Sequence, residues 1–426
     1  MKKQIARLPL LCWLVFTLGT TSATAAAKVD WHWVSAWGTA VLAPFPFAGA
    51  PVPSPIADKT IRMVVRPTVS GSRVRVRLSN EFGSSPLAIG AAHIALTGEG
   101  SQIKPETDRT LTFGGQTSVR IPAGAPVLSD PIDLPVKSLA ELSVSIYLPA
   151  NTALSTLRGD SQRESFLVPG DLTAKADLPN AEKRTTWYFL SSIEVWAPSL
   201  TTTIVALGDS ITQGAMMNPG PPYSDWPDQL AQRISNRKGP SVAVVNVGIS
   251  GNRVLHDAAG VNALTRFDRD VLAHPGMTRL ILLEGINDIG FPRIRMSEIP
   301  GVPAGTKNPF AAEKASADEI IMGLRQILTR AHEHGILVFG GTLMPFEGTN
   351  SYDSEGEAIR QAVNQWIRAS KEYDGIFDFD ALTRDPGHPT RLRAEYDSGD
   401  HIHPNAAGYK AMAESMSLSV LKMEKR

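Results

Sequence analysis

The chain holds a single cysteine, Cys12, in 426 residues. Beyond that position there is no thiol, so disulfides and thiolate metal sites are excluded. Charge of one sign is also missing. Lysines plus arginines equal aspartates plus glutamates, at a formal net charge of +0. Nothing in that balance calls for nucleic acid or an anionic membrane as a partner. No apolar run is long enough to span a bilayer; Leu8 to Leu18 falls short. The Gly-rich phosphate fingerprints G-x-G-x-x-G and G-K-[ST] are absent, as are the G-x-S-x-G elbow and the H-E-x-x-H zinc motif. His332-Glu-His334 has the wrong spacing for zinc and sits at an expected helix end, where histidine is favourable anyway. No metal and no cofactor are expected.

What is present begins with an export signal. Lys2, Lys3 and Arg7 precede the short apolar run, and Ala23-Thr-Ala25 offers small residues at cleavage spacing. Residues 1–25 are expected to be a signal peptide, which makes the protein secreted or periplasmic with no membrane anchor after cleavage. Cutting there removes three cations and no acids, taking the charge from +0 to −3. Pro9-Leu-Leu-Cys12 lacks the small residues usual before a lipoprotein cysteine.

A length of 426 residues predicts two domains. From Trp31 to about Val195 the pattern is β. Arg73-Val-Arg-Val-Arg-Leu78 and Ser143-Val-Ser-Ile-Tyr-Leu148 alternate strictly, and Gly and Pro punctuate the short runs between them. A jelly-roll-like β-sandwich over residues 28–197 is expected. The arginines of the first run read as a solvated strand face in preference to an anion site. Trp31, Trp33 and Trp37 read as packing in preference to sugar stacking. From 199 to 426 strands alternate with helices, which predicts a parallel sheet with right-handed crossovers, a three-layer α/β/α flavodoxin-like domain. Its strands are expected near 201–207, 241–248, 279–284, 336–342 and 376–379. Ser224 is a candidate cap for a helix through Ile234, and a last helix is expected over 405–421. The Pro- and Gly-rich stretch 289–315 leaves the end of the third strand, and reads as a wall of the cleft or a plain surface excursion.

The chemistry-bearing stretch is Ile204-Val-Ala-Leu-Gly-Asp-Ser-Ile-Thr-Gln-Gly214. It starts as a buried parallel strand and breaks at Gly208 into a turn that presents Ser210. Open α/β sheets bind ligands at such strand ends. A serine hydroxyl needs an adjacent base, and histidine supplies one near neutral pH. Asp400-His-Ile-His403 offers a base and a carboxylate to orient it. His401 competes with His403 for the first role, and Asp397 with Asp400 for the second. Gly251 and Asn287 follow predicted strands and are candidate donors to a developing oxyanion, with Gly248 as fallback. Asp288 reads as a structural partner of its own turn.

Gly208-Asp-Ser210, Gly251, Gly285-Ile-Asn287-Asp288 and Asp400-His-Ile-His403 together resemble the GDSL, or SGNH, hydrolase family, in the family's order. The resemblance covers roughly residues 200–422, and the two-part layout resembles secreted members associated with xylan. It implies a catalytic triad of Ser210, Asp400 and His403, since His403 fits the family's D-x-x-H spacing. It also implies an oxyanion hole from the backbone N–H groups of Ser210 and Gly251 and the Asn287 amide. The expected activity is hydrolysis of short-chain acyl esters, foremost O-acetyl groups on plant cell-wall polysaccharide. A lipase or arylesterase acting on simple acyl esters is the alternative within enzymes. A carbohydrate-binding protein with an inactive hydrolase domain is the alternative of another class. The partner implied is an acylated carbohydrate or other small ester; oligomeric state is not legible.

Overall fold

A computed structural model describes residues 30–45, 53–161, 163–216 and 220–423. The expected signal peptide, 1–25, and Cys12 lie outside the described residues.

Among the described residues the N-terminal half is built on two large antiparallel sheets, with two further two-stranded pairs, Leu87–Ile89 with Val119–Ile121 and Leu157–Arg158 with Trp187–Tyr188. In one of the large sheets, Trp31–Gly38, Leu190–Pro198 and Gly71–Ser79 are neighbours, with Pro126–Leu128 and Ile132–Val136 both pairing Gly71–Ser79. The other runs Glu182–Arg184, Ser165–Pro169, Lys59–Val65, Leu142–Leu148, Ala91–Leu96, Arg109–Thr110. Strict alternation explains why Gly71–Ser79 works here. Val74, Val76 and Leu78 are fully buried in the core between the sheets. Its arginines lie on the face away from the core and are partly solvated, Arg73 most of all at 43% exposed. Arg75 and Arg77 hold the wholly buried carboxylate of Glu194 at 2.6 and 3.0 Å. The anion they meet is internal, carried by the neighbouring strand.

The C-terminal half is a five-stranded parallel sheet in the order Val242–Asn246, Thr202–Gly208, Met277–Leu283, Leu337–Gly341, Gly375–Phe377. Counted along the chain this is 2-1-3-4-5, the flavodoxin-like order. Near-continuous apolar strands are what a sheet covered on both faces requires. Ile204 to Leu207 and Leu280 to Leu283 are all buried. Helix Ala317–Glu333 lays Ile320, Leu324, Ile327, Leu328 and Ala331 on the sheet and opens with a capping box of Ser316 and Glu319. Among the described residues no helix is long and apolar enough to cross a membrane.

Two expected helix limits differ. Ser224 does not cap Trp226–Ser235. Asp225 does, accepting the N–H of Asp228 at 2.9 Å, while the Ser224 hydroxyl turns to the Pro221 carbonyl. The last helix, Ala406–Ser415, stops short of Leu421. Arg233 binds the carbonyls of Ala413 and Met416 there, satisfying groups that another turn of helix would have used.

The two halves are packed together. Leu190–Pro198 and Thr202–Gly208 are separated by three residues. Val242–Asn246 is an edge strand, and edge strands leave backbone groups unpaired. Thr68 of the N-terminal half meets that need, its hydroxyl lying 2.9 Å from the Val244 N–H and 3.2 Å from its carbonyl. Ser35 donates its N–H to the Pro275 carbonyl at 2.9 Å, and Arg66 pairs with Asp228 at 2.8 Å. Trp196, near the junction, packs against Trp33 of its own sheet.

Candidate active site

The site lies beyond the carboxyl ends of the first three strands in chain order. Thr202–Gly208 ends against Leu283, so tightly that a Cβ on Gly208 would lie 2.3 Å from the Leu283 carbonyl oxygen. Only glycine fits, and the chain turns at once. Asp209 caps the single-turn helix Ser210–Gln213, accepting the Ile211 N–H at 2.8 Å. Ser210 is thereby fixed at the first helical position, largely buried, facing the cleft.

Its partner arrives from 193 residues downstream. His403 Nε2 lies 2.8 Å from Ser210 Oγ, and His403 Nδ1 lies 2.6 Å from Asp400 Oδ2. The other Asp400 oxygen accepts the N–H groups of His403 at 2.9 Å and Ile402 at 3.2 Å. Burial alone would raise the Asp400 pKa. The His403 hydrogen bond and charge, with these two backbone donors, outweigh burial and hold it down to about 2. A serine, an imidazole and an ionised carboxylate in this chain can pass the hydroxyl proton to the imidazole and stabilise the imidazolium.

His401 is arranged differently. Its Nδ1 binds Asp397 Oδ2 at 2.7 Å, and its side chain is 52% exposed. The rival His and the rival Asp thus form a pair of their own at the rim, apart from Ser210.

Gly251 sits in the loop after Val242–Asn246 with φ 76°, a left-handed conformation that suits glycine. A Cβ there would lie 3.0 Å from the Phe291 ring. The backbone N–H groups of Ser210 and Gly251 have no partner among the described residues. Asn287, in helix Ile286–Gly290, donates one amide hydrogen to the Asn252 carbonyl at 2.9 Å, leaving the other for the cleft. Asp288 accepts the N–H groups of Val254 and Leu255 at 2.8 and 2.9 Å. It ties the Gly251 loop to the Asn287 helix, a wider span than its own turn. Burial raises its pKa to about 6.

These groups share an open cleft of about 770 Å³. Of the stretch 289–315, Phe291 and Ile294 form part of the wall. Sequence reasoning missed other contributors. Phe45 and Asp160 bring the N-terminal half into the cleft. Behind it, buried Arg266 bonds the carbonyls of Gly208 at 3.0 Å and Val247 at 2.6 Å, and Asn252 Oδ1 at 2.8 Å. A charged residue in register with the apolar Ala263 and Phe267 was the available signal. Among the described residues no cluster of three or more His, Cys, Asp or Glu could hold a metal ion.

Residues 206–411 match the GDSL-like Lipase/Acylhydrolase family. The C-terminal half is a GDSL-like acylhydrolase domain. Its activity class is therefore carboxylic ester hydrolysis. No curated protein matches the chain. Several solved structures are similar to half of it. An aryl esterase from M. smegmatis is 16% identical, covering 52% of this chain and 100% of its own, at TM-score 0.39. An acetylxylan esterase from Geobacillus stearothermophilus is 20% identical, with coverages of 50% and 91% at TM-score 0.37. A lipolytic G-D-S-L family member from Veillonella parvula DSM 2008 is 16% identical, with coverages of 52% and 98% at TM-score 0.35.

Proposed function

We propose that the acylhydrolase is an exported serine esterase that removes O-acetyl groups from plant cell-wall polysaccharide such as xylan. The observation that carries the serine mechanism is the unbroken chain from Ser210 through His403 to Asp400. Ser210 Oγ attacks the ester carbonyl while His403 takes its proton. The developing oxyanion is met by the N–H groups of Ser210 and Gly251 and the Asn287 amide. His403 returns the proton to the leaving alkoxide, giving an acyl-enzyme. Water activated by the same imidazole then releases the acid and restores Ser210. The complete chain also argues against an inactive, purely carbohydrate-binding protein. Export is supported by the basic start, the short apolar run and Ala23-Thr-Ala25. N-terminal sequencing of the mature protein tests it.

An open cleft suits an acyl group carried on a bulky alcohol. Its wall favours a second reading. Phe291, Ile294, Phe346 and Ile402 present mainly apolar surface, which suits a simple alkyl or aryl ester. Acetate release from acetylated xylan, compared with turnover of p-nitrophenyl esters of increasing chain length, separates the two. Undetectable release from acetylated xylan beside fast p-nitrophenyl ester turnover would discard the polysaccharide reading.

A further inference from the structure

The N-terminal half reaches the cleft through a short strap. Leu157–Arg158 pairs with Trp187–Tyr188, and Leu157 also exchanges both backbone hydrogen bonds with Leu42. The strap is therefore anchored on both sides within its own half. From it the Arg158 side chain crosses to the hydrolase half. Arg158 is 3% exposed, and its Nη1 donates to the Gly248 carbonyl. A second arm runs beside the first. Gln213 accepts the Ser250 N–H on Oε1 at 2.6 Å and offers Nε2 to the Asp160 carbonyl at 3.5 Å. Gly248 and Ser250 flank the turn into Gly251, so the loop is gripped at two points, and both grips end in the N-terminal strap.

We infer that Arg158, with the Asp160 carbonyl acting through Gln213, positions the oxyanion-binding loop, so that ester hydrolysis draws on the N-terminal half. This rests on reading the Gly251 N–H as an oxyanion donor. The choice of residue supports it. A buried guanidinium is expensive, and its only hydrogen bond among the described residues is to a neutral carbonyl, with Nε unpartnered. Burial, reinforced by Arg266, lowers its pKa to about 10, so it is still a cation at neutral pH. Packing alone would be served as well by an apolar side chain of the same length. A charged donor makes a stronger bond and fixes the carbonyl's direction.

The test uses the full chain with Arg158→Met, Arg158→Lys and Ser210→Ala. The readouts are kinetics on p-nitrophenyl acetate, inhibition by phenylboronic acid as a tetrahedral mimic, and melting temperature. Arg158→Met is expected to lower kcat by about 10- to 100-fold with KM little changed. Boronate affinity should weaken by a similar factor, and Arg158→Lys should recover part of both. A folded Arg158→Met with wild-type kcat and boronate affinity, whatever its melting temperature, overturns the inference. If Arg158→Met does not fold, Gln213→Met carries the same expectation for kcat and boronate, and unchanged values in it overturn the inference equally. Ser210→Ala separates the layers. Activity surviving in Ser210→Ala overturns the reading of the site itself. An inactive Ser210→Ala beside a fully active Arg158→Met overturns the strap alone.

Discussion

His403 Nε2 lies 2.8 Å from Ser210 Oγ, whereas His401, two residues earlier, bonds Asp397 at 2.7 Å and stays half exposed. The two histidines should therefore respond very differently to removal. His403→Ala is expected to cut kcat by at least about 1,000-fold, comparable with Ser210→Ala, because members of such a chain act as a unit. His401→Ala should stay within about 10-fold of wild type, since it touches only the rim of the cleft. Steady-state turnover of p-nitrophenyl acetate by the three variants decides it. A dead His401→Ala with an active His403→Ala would transfer the base to the Asp397 pair.

The proposed oxyanion donors make a separate prediction. Asn287→Ala should lower kcat by roughly 100- to 1,000-fold with a small change in KM, as expected for a donor used in the transition state. Gly251→Ala should also lower kcat. Its φ of 76° and the 3.0 Å approach to Phe291 force the loop to move. An Asn287→Ala enzyme whose only defect is a higher KM would mean that the amide binds substrate and transition state alike.

Much of this was legible in the chain because local pattern and tertiary role agree. Apolar β-branched runs gave the parallel strands, and a residue of the wrong type at each strand end marked the site. The tripeptide alone was not informative. Gly159-Asp-Ser161 repeats it within the strap, where no buried parallel strand precedes it. What stayed hidden depends on long-range packing. Arg158 stands in a two-residue strand with no periodicity, and the carbonyl it meets is 90 residues away. The pairing of Arg75 and Arg77 was hidden for the same reason, since their counter-ion Glu194 sits 119 and 117 residues downstream. Helix ends moved where a distant arginine or a neighbouring aspartate supplied the cap.

Asp209 carries a pH prediction. Burial, partly offset by the Ile211 N–H and the His403 charge, raises its pKa to about 7. An ordinary aspartate titrates near about 4. A carboxyl raised in the folded state binds its proton more tightly there than in the unfolded chain. The stability this lends is in place at low pH and is lost as pH rises from about 4 through about 7. Asp209→Asn keeps the acceptor for Ile211 and removes the titration. Its melting temperature should fall less than wild type's between about pH 4.5 and 8, the gap widening with pH. Parallel curves across that range would show that Asp209 is ionised throughout.

Arg266 should be a stability residue. It is buried, joins the ends of two strands to Asn252, and pairs with Asp270 at 3.2 Å. Glu284, 3.8 Å away, is buried with neither oxygen hydrogen-bonded, and burial holds its pKa well above the usual range. Arg266→Met would leave the buried carbonyls of Gly208 and Val247 and the Asn252 side-chain oxygen short of a donor, while Asp270 keeps Arg269 at 2.6 and 2.7 Å. A buried polar group left without its hydrogen bond typically costs about 1–3 kcal/mol. Urea denaturation should show a loss of that order. A loss below about 1 kcal/mol would mean that water replaces the guanidinium at no great cost.

The N-terminal half should not be separable from the hydrolase half. A fragment of residues 199–426 would strip Thr68 from the Val244 backbone and leave Val242–Asn246 as an open edge. Ala243, packed in the core of the N-terminal sheets, would face water. His274 would lose the Ser35 hydroxyl that lies 2.8 Å from its Nδ1. Exposed apolar surface beside an unpaired strand is a template for aggregation. The fragment is expected to be poorly soluble, and any monomer recovered should melt lower than the full chain. It would also lack Arg158 and Asp160, so its kcat on p-nitrophenyl acetate should be depressed even when folded. The measurements are size-exclusion chromatography, a thermal melt and steady-state kinetics on fragment and full chain side by side. A soluble monomer with the full melting temperature and undiminished kcat would leave the N-terminal sheets as a passenger.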